Sequence, residues 1–399
     1  MKKIKNSKIL PILIVIVLVL LVFSIPSVFC ENSDDDLIND LQDNVYQQLG
    51  HFDFSDLDDC ISSLGEQSKD IFGSQSFFDK VSQLINGDFG ADAGSFLGAF
   101  ASCFFGEVVN FLPLLCVIIM VTVLCSLIGN IRSDVGSESV GRIINFVCFG
   151  IVVVVTSGMV LALLGEVGGA ISSIKMQMDV IFPILLTLLA SVGGAVTVGI
   201  FQPTLALLGN VVVQIFNFVL VPLFTFAFIF AIVGNLSDSV SLNKFNSLFK
   251  SIFKWVAGIC FSVFMGLILV QGVVAGNFDS VSIRATKFAL KSYVPILGGY
   301  LSDGFNLVMA SSVLIKNAVG GVGIFLALCV VLVPIAKIAV LSLGLKLTAS
   351  ILEPMTKSKI PNYLSLASKN VNMLLVIIAG VGFMYIVSIG MLLVAANLG

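Results

Sequence analysis

A chain of 399 residues that is 57% hydrophobic and 11% charged, with mean hydropathy +1.08, cannot build the polar rind of a water-soluble protein of its size. Its formal net charge of −3 offers no electrostatic footprint for nucleic acid. With His51 as its one histidine and no GxxxxGK[ST] phosphate loop, it lacks histidine-based acid/base catalysis, a multi-histidine metal centre and a nucleotide-hydrolysing site of its own. The reading is therefore a non-enzyme with no catalytic, cofactor or metal residues.

The first residues carry Lys2, Lys3, Lys5 and Lys8, then an apolar core from Ile9 to Phe23, then Pro26 and a polar switch at Glu31. This predicts a signal peptide over 1–30, or an uncleaved anchor. Residues 31–107 hold sixteen carboxylates, from Glu31 to Glu107, against Lys69 and Lys80. Such a segment is either simply solvated or a docking surface for a basic partner, and the leader places it outside the cytoplasm. Leu37, Leu41, Val45 and Leu49, then Phe77, Phe78, Val81, Leu84 and Ile85, recur at helical spacing and predict short amphipathic helices there.

Residues 108–399 read as a helical membrane domain. Phe111 to Ile131 and Ile143 to Leu164 are charge-free runs as long as the roughly 20 residues that cross a hydrocarbon core. They form a hairpin whose loop, with Arg132 and Arg142, falls in the cytoplasm by the positive-inside rule. Ile181 to Phe201 is apolar but interrupted by Pro183 and by Gly193 and Gly194, and Pro222 lies inside the next run. Treating Ile181 to Phe201 as a half-segment keeps the loop with Lys244, Lys250 and Lys254 cytoplasmic. An internal repeat gives the pattern a second copy: Pro183 to Pro295 and Pro222 to Pro334 are both 112 positions apart. AGICF at Ala257 also resembles AGVGF at Ala379. Possible units are 180–275 and 292–396, the second with its own basic loop at Lys357, Lys359 and Lys369. The expected fold is an all-α polytopic membrane protein of about six transmembrane helices plus two Pro/Gly-broken half-segments.

Candidate functional groups are the polar residues inside apolar helices, which are costly unless they meet a partner or water. Asn210, Gln214 and Asn217 share one helix face at i, i+4 and i+7, to bond neighbouring helices or to line a path. Lys337, beside Pro334, is either buried against a partner or marks a shorter span, while snorkelling serves for Lys316 or Lys346 near a helix end. Pro183, Gly193, Gly194, Pro222, Pro295 and Pro334 are candidate hinges or helix breaks. Cys116, Cys125, Cys148, Cys260 and Cys329 sit in apolar runs as small hydrophobes, whereas Cys60 and Cys103 could pair outside the cytoplasm.

At RATKFALKSYVPILGGYLSD (Arg284 to Asp303), ASSVLIKN (Ala310 to Asn317) and FPILLTLLASVGGAV (Phe182 to Val196), the chain resembles the stage III sporulation protein AE family over roughly residues 100 to 396. The resemblance implies a polytopic subunit in the mother-cell membrane. It would belong to a channel or secretion-like complex that joins mother cell to forespore and supports late forespore development. A cytoplasmic ATPase and ring-forming intermembrane proteins are the implied partners, besides membrane lipid. The rival expectation is a stand-alone secondary transporter built from broken-helix repeats.

Overall fold

A backbone inside hydrocarbon must bond its own N–H and C=O groups, and a helix does so within each segment. In the computed structural model, which describes residues 44–73, 75–87, 93–133, 138–236, 243–293, 298–356 and 358–395, the regular elements are all helices. Residues 1–30, the acids from Glu31 to Asp43, and Pro295 lie outside the described residues. After a helical stretch at 44–49 come three short helices, α1 (Ser55–Ser63), α2 (Glu66–Phe72) and α3 (Phe77–Ile85). Seven longer ones follow: α4 (Ala93–Ser133), α5 (Glu138–Ser191), α6 (Ala195–Ile215), α7 (Val221–Leu236), α8 (Asn243–Tyr293), α9 (Gly298–Leu352) and α10 (Ile360–Ala395). A π-helical turn, Phe216–Leu220, joins α6 to α7 without a break. The described chain thus has six helices long and apolar enough to cross a membrane, with α6 and α7 counting as one, which agrees with the all-α expectation.

Helix α9 is the hub. Its apolar residues occupy every face, and 89% of its most apolar window is buried, against 11% of the corresponding window in α4. Leu326, Cys329, Ile338, Leu341 and Leu345 are fully buried. A helix apolar all round belongs in the middle of a bundle, and α4, α5, α8 and α10 pack around this one. Glycine allows a close approach between α8 and α10, since a Cβ built on Gly380 would overlap the Phe261 ring. The lengths are as informative as the packing. At 54 and 55 residues, α5 and α9 extend about 80 Å, more than twice a ~30 Å hydrocarbon layer. Both continue past any bilayer that contains their centres.

Of the two expected half-segments, the one at Pro183 is described and the one at Pro295 lies outside the described residues. Pro183 does not break its helix: α5 runs through it to Ser191, and the chain reverses at residues 192–194, where Gly193 adopts φ 93°, a left-handed conformation favoured by glycine. Gly194 then packs hard against Leu189, whose Cγ lies 2.8 Å from the position of a Cβ. The first half-segment is therefore the tip of a helical hairpin. Pro334 is likewise housed inside continuous α9. A proline costs one backbone bond and some strain, which the burial of these long helices outweighs. Pro222 sits directly after the π turn, a common site for irregularity in a helix.

The short helices form a cap on the bundle. Val45, Leu49, Leu57, Phe77 and Val81 are fully buried, as their spacing anticipates. Helix α3 opens with a capping box in which Ser76 Oγ accepts from the Asp79 N–H at 3.1 Å. The cap rests on α9 through Phe72 and Phe325, ring centroids 5.7 Å apart, and on α5 through Cys60 beside the Ser173 carbonyl. Cys60 and Cys103 are separate free thiols with different neighbours, and burial pushes the Cys60 thiol up.

Gly380→Ala is expected to destabilise the protein by about 1–3 kcal/mol through overpacking against Phe261. Gly165→Ala, where a Cβ meets nothing, is expected to be neutral or slightly stabilising. Thermal unfolding of both variants in detergent checks the pair.

Candidate functional site

Four elements meet at one charged cluster. Lys337 on α9 donates from Nζ to Glu166 Oε1 of α5 at 2.8 Å and lies 3.8 Å from Glu107 Oε1 of α4. Glu107 is 4% exposed and accepts a further bond from Gln67 Nε2 of α2 at 2.7 Å. Cys103, a turn before Glu107, approaches Gln67 Oε1. A charge withdrawn from water is stable only with a partner of opposite sign and good hydrogen bonds, and here the lysine has two carboxylates. Lys337 is half-buried, and both carboxylates beside it belong to its own chain. Residue order alone places Glu107 at the close of the acidic segment and does not single out Glu166. A signal exists for both: each is an isolated glutamate in an apolar helix, the same anomaly that Lys337 presents.

Lys316 behaves differently from Lys337 and does not snorkel. It is fully buried and donates to the carbonyls of Leu393 at 2.8 Å and Leu392 at 3.4 Å, at the C-terminal end of α10. There the unbonded carbonyls and the negative end of the helix dipole supply what a carboxylate would. Lys346 is exposed.

Asn210, Gln214 and Asn217 do lie in the middle of the 42-residue α6–α7 span. All three are exposed on the outside of the bundle. Asn210 Nδ2 bonds only its own helix, at the Ala206 carbonyl, and Gln214 and Asn217 have no side-chain partner among the described residues. The expectation that this stripe bonds neighbouring helices of the same chain is not met. Other amides join the helices instead. The Ala227 carbonyl of α7 accepts from Asn246 of α8 at 2.7 Å and from Asn370 of α10 at 3.1 Å. Asn362 also donates to Asn235 Oδ1 at 2.7 Å. Asn235, Asn246 and Asn362 lie near helix ends, where polar residues are ordinary in a sequence. Two hydroxyl pairs reinforce them, Thr156 with Tyr363 at 2.7 Å and Ser342 with Ser368 at 3.1 Å.

Lys337→Met leaves buried Glu107 without its ammonium and is expected to cost about 3 kcal/mol or more. Adding Glu107→Gln and Glu166→Gln to it should restore a substantial part of the loss. Unfolding temperatures of the single and triple variants in one detergent are the measurement.

The sequence has a counterpart among known proteins. The family model described as stage III sporulation protein AE matches residues 76–396. Among curated proteins, the chain is 27% identical over 316 residues to the stage III sporulation protein AE of Bacillus subtilis (strain 168), covering 79% of each. No solved structure matches. The match takes in the cap from Ser76 onward, all six spans and the charged trio Lys337, Glu107 and Glu166, and the chain belongs to the stage III sporulation protein AE family.

Proposed function

We propose that this chain is a non-enzymatic membrane subunit of a larger sporulation assembly, a channel or secretion-like complex between mother cell and forespore. The observation that carries this reading is the outward-facing stripe of Asn210, Gln214 and Asn217. Each amide facing hydrocarbon without a partner costs several kcal/mol, whereas bonds to a neighbouring helix return about 0.6–2 kcal/mol apiece. A stripe that the chain leaves uncovered suits a second membrane protein laid against α6. The complex takes its energy from a partner, a cytoplasmic ATPase, and the N-terminal cap faces ring-forming proteins in the space between the two membranes. Charge supports this orientation. Arg132 and Arg142 lie near the facing ends of α4 and α5, and Lys244 and Lys359 beside the turns α7–α8 and α9–α10, while the acidic cap packs along the first half of α9, at Ser312 and Phe325. By the positive-inside rule those turns are cytoplasmic and the cap is not.

A specific observation favours the second reading, a stand-alone secondary transporter: the Lys337, Glu107 and Glu166 cluster resembles the intramembrane charge groups used in ion coupling. Solute movement by the purified chain alone in liposomes would support it.

Replacing Asn210, Gln214 and Asn217 together with leucine is expected to reduce recovery of the complex and spore yield by tenfold or more, roughly the loss of one or two interhelical bonds. Replacing Leu207, Val211 and Phe218, exposed on the same helix, with alanine should leave both unchanged. Equal complex recovery and equal sporulation in the two triple variants would refute the stripe as a subunit contact.

A further inference from the structure

Building on the reading of the amide stripe as a subunit contact, we propose that the protein laid against it is a second copy of this chain. The stripe of α6 and the ion pair Lys175–Asp179 of α5 then form one two-fold contact. Both features belong to the same surface. Lys175 and Asp179 pair one turn apart on α5, and both lie over α6 at Gly209, where a Cβ would stand 3.8 Å from Asp179 Oδ1 and 3.9 Å from Lys175 Cγ. Asn210 is the next residue of α6. It is exposed, as are Asp179, Gln214 and Asn217, while Lys175 is half-buried. Ser172 and Ala206, small and exposed about one turn from the patch on either helix, let another backbone come close. A lysine four residues before its carboxylate is the less favourable order for a pair within one helix, and charge on the outer side of a membrane bundle is costly without further partners.

The chemistry of the patch selects the occupant. Two copies inserted in the same sense are related by a two-fold axis along the membrane normal, so residues near the axis meet their own counterparts at the same depth. A lone lysine or aspartate would face a like charge there. An amide does not, because one side chain carries both donor hydrogens and an acceptor oxygen. Asn210, Gln214 and Asn217 can therefore each bond their counterparts reciprocally. The ion pair meets the same requirement by containing both signs. Its net charge is zero, and two such pairs side by side give each ammonium a carboxylate from either copy. A surface for a basic or an acidic partner would carry a single sign instead.

Full-length chains carrying either of two affinity tags, co-expressed in one membrane and extracted in a mild detergent, provide the test. Capture through one tag measures how much of the other chain follows, and native mass spectrometry gives the mass of the product. The parent copies are expected to be captured together as a dimer. Asn210→Leu/Gln214→Leu/Asn217→Leu should weaken the association by about tenfold or more. Asp179→Lys makes the charges of the patch all positive and Lys175→Asp makes them all negative, so each variant should lose association with itself. Co-expressed with one another, the two should pair as the parent copies do, a rescue that no folding defect in a single variant could produce. Parent copies that fail to capture one another would overturn the proposal, and so would a dimer that survives both the leucine and the charge substitutions. If the parent stays monomeric while the triple leucine variant still loses the sporulation complex, the stripe belongs to a different subunit, and the second copy alone is refuted. If the triple leucine variant loses the dimer yet yields complex and spores normally, the dimer is supported and the stripe is removed from the sporulation assembly.

Discussion

From Ser311 to Ser342 nearly every residue of helix α9 is withdrawn from solvent, so the chain must cover that stretch on all sides. Of the long helices, α4, α5, α8 and α10 each place one face against it, and the other faces of these helices remain apolar and exposed, as Phe146, Val154, Ile259 and Val263 illustrate. In water such an arrangement would leave large sticky surfaces. In lipid it is the expected state, because acyl chains cover the outside as well as leucine does. The interior must then be held by close packing and a small set of polar bonds. That is the pattern found: glycine contacts such as Gly380 on Phe261, the amides converging on the Ala227 carbonyl, and the paired hydroxyls between helices.

The polar groups inside the apolar helices fall into two populations. Lys337, Glu107, Glu166, Lys316 and the buried asparagines find partners within the chain, and their energetic effect is to fix which helices adjoin. Asn210, Gln214 and Asn217 form no bond to another helix among the described residues, and all three are exposed.

Much of the fold is legible from residue order because membrane helices declare themselves one at a time. A charge-free run such as Ile143 to Leu164 needs no tertiary information to be read as a crossing. The amphipathic spacing of Val45, Leu49, Phe77 and Val81 marks the cap by the same logic. What escapes is everything that depends on two helices at once. Pro183 suggests a break when read alone, yet the packing of α5 carries the helix through it, and the true reversal falls at Gly193. Glu107 and Lys337 are 230 positions apart, so neither is recognisable as the other's counterion, and Glu166 is ordinary until α5 lies beside α9. The stripe is visible as a periodicity, but whether it faces inward or outward is a property of the whole bundle.

The docking of the cap on α9 has a consequence for how the molecule is made. Phe72 rests on Phe325, which the ribosome delivers about 250 residues later, a delay on the order of 10–50 s at roughly 5–20 residues per second. During that interval α1–α3 have neither α9 nor the far half of α5 to lean on. Short helices without a partner surface are marginal in water. The N-terminal helices therefore complete their folding among the last parts of the protein, although they are among the first to be synthesised. Their arrival on α9 reports that the whole bundle has assembled.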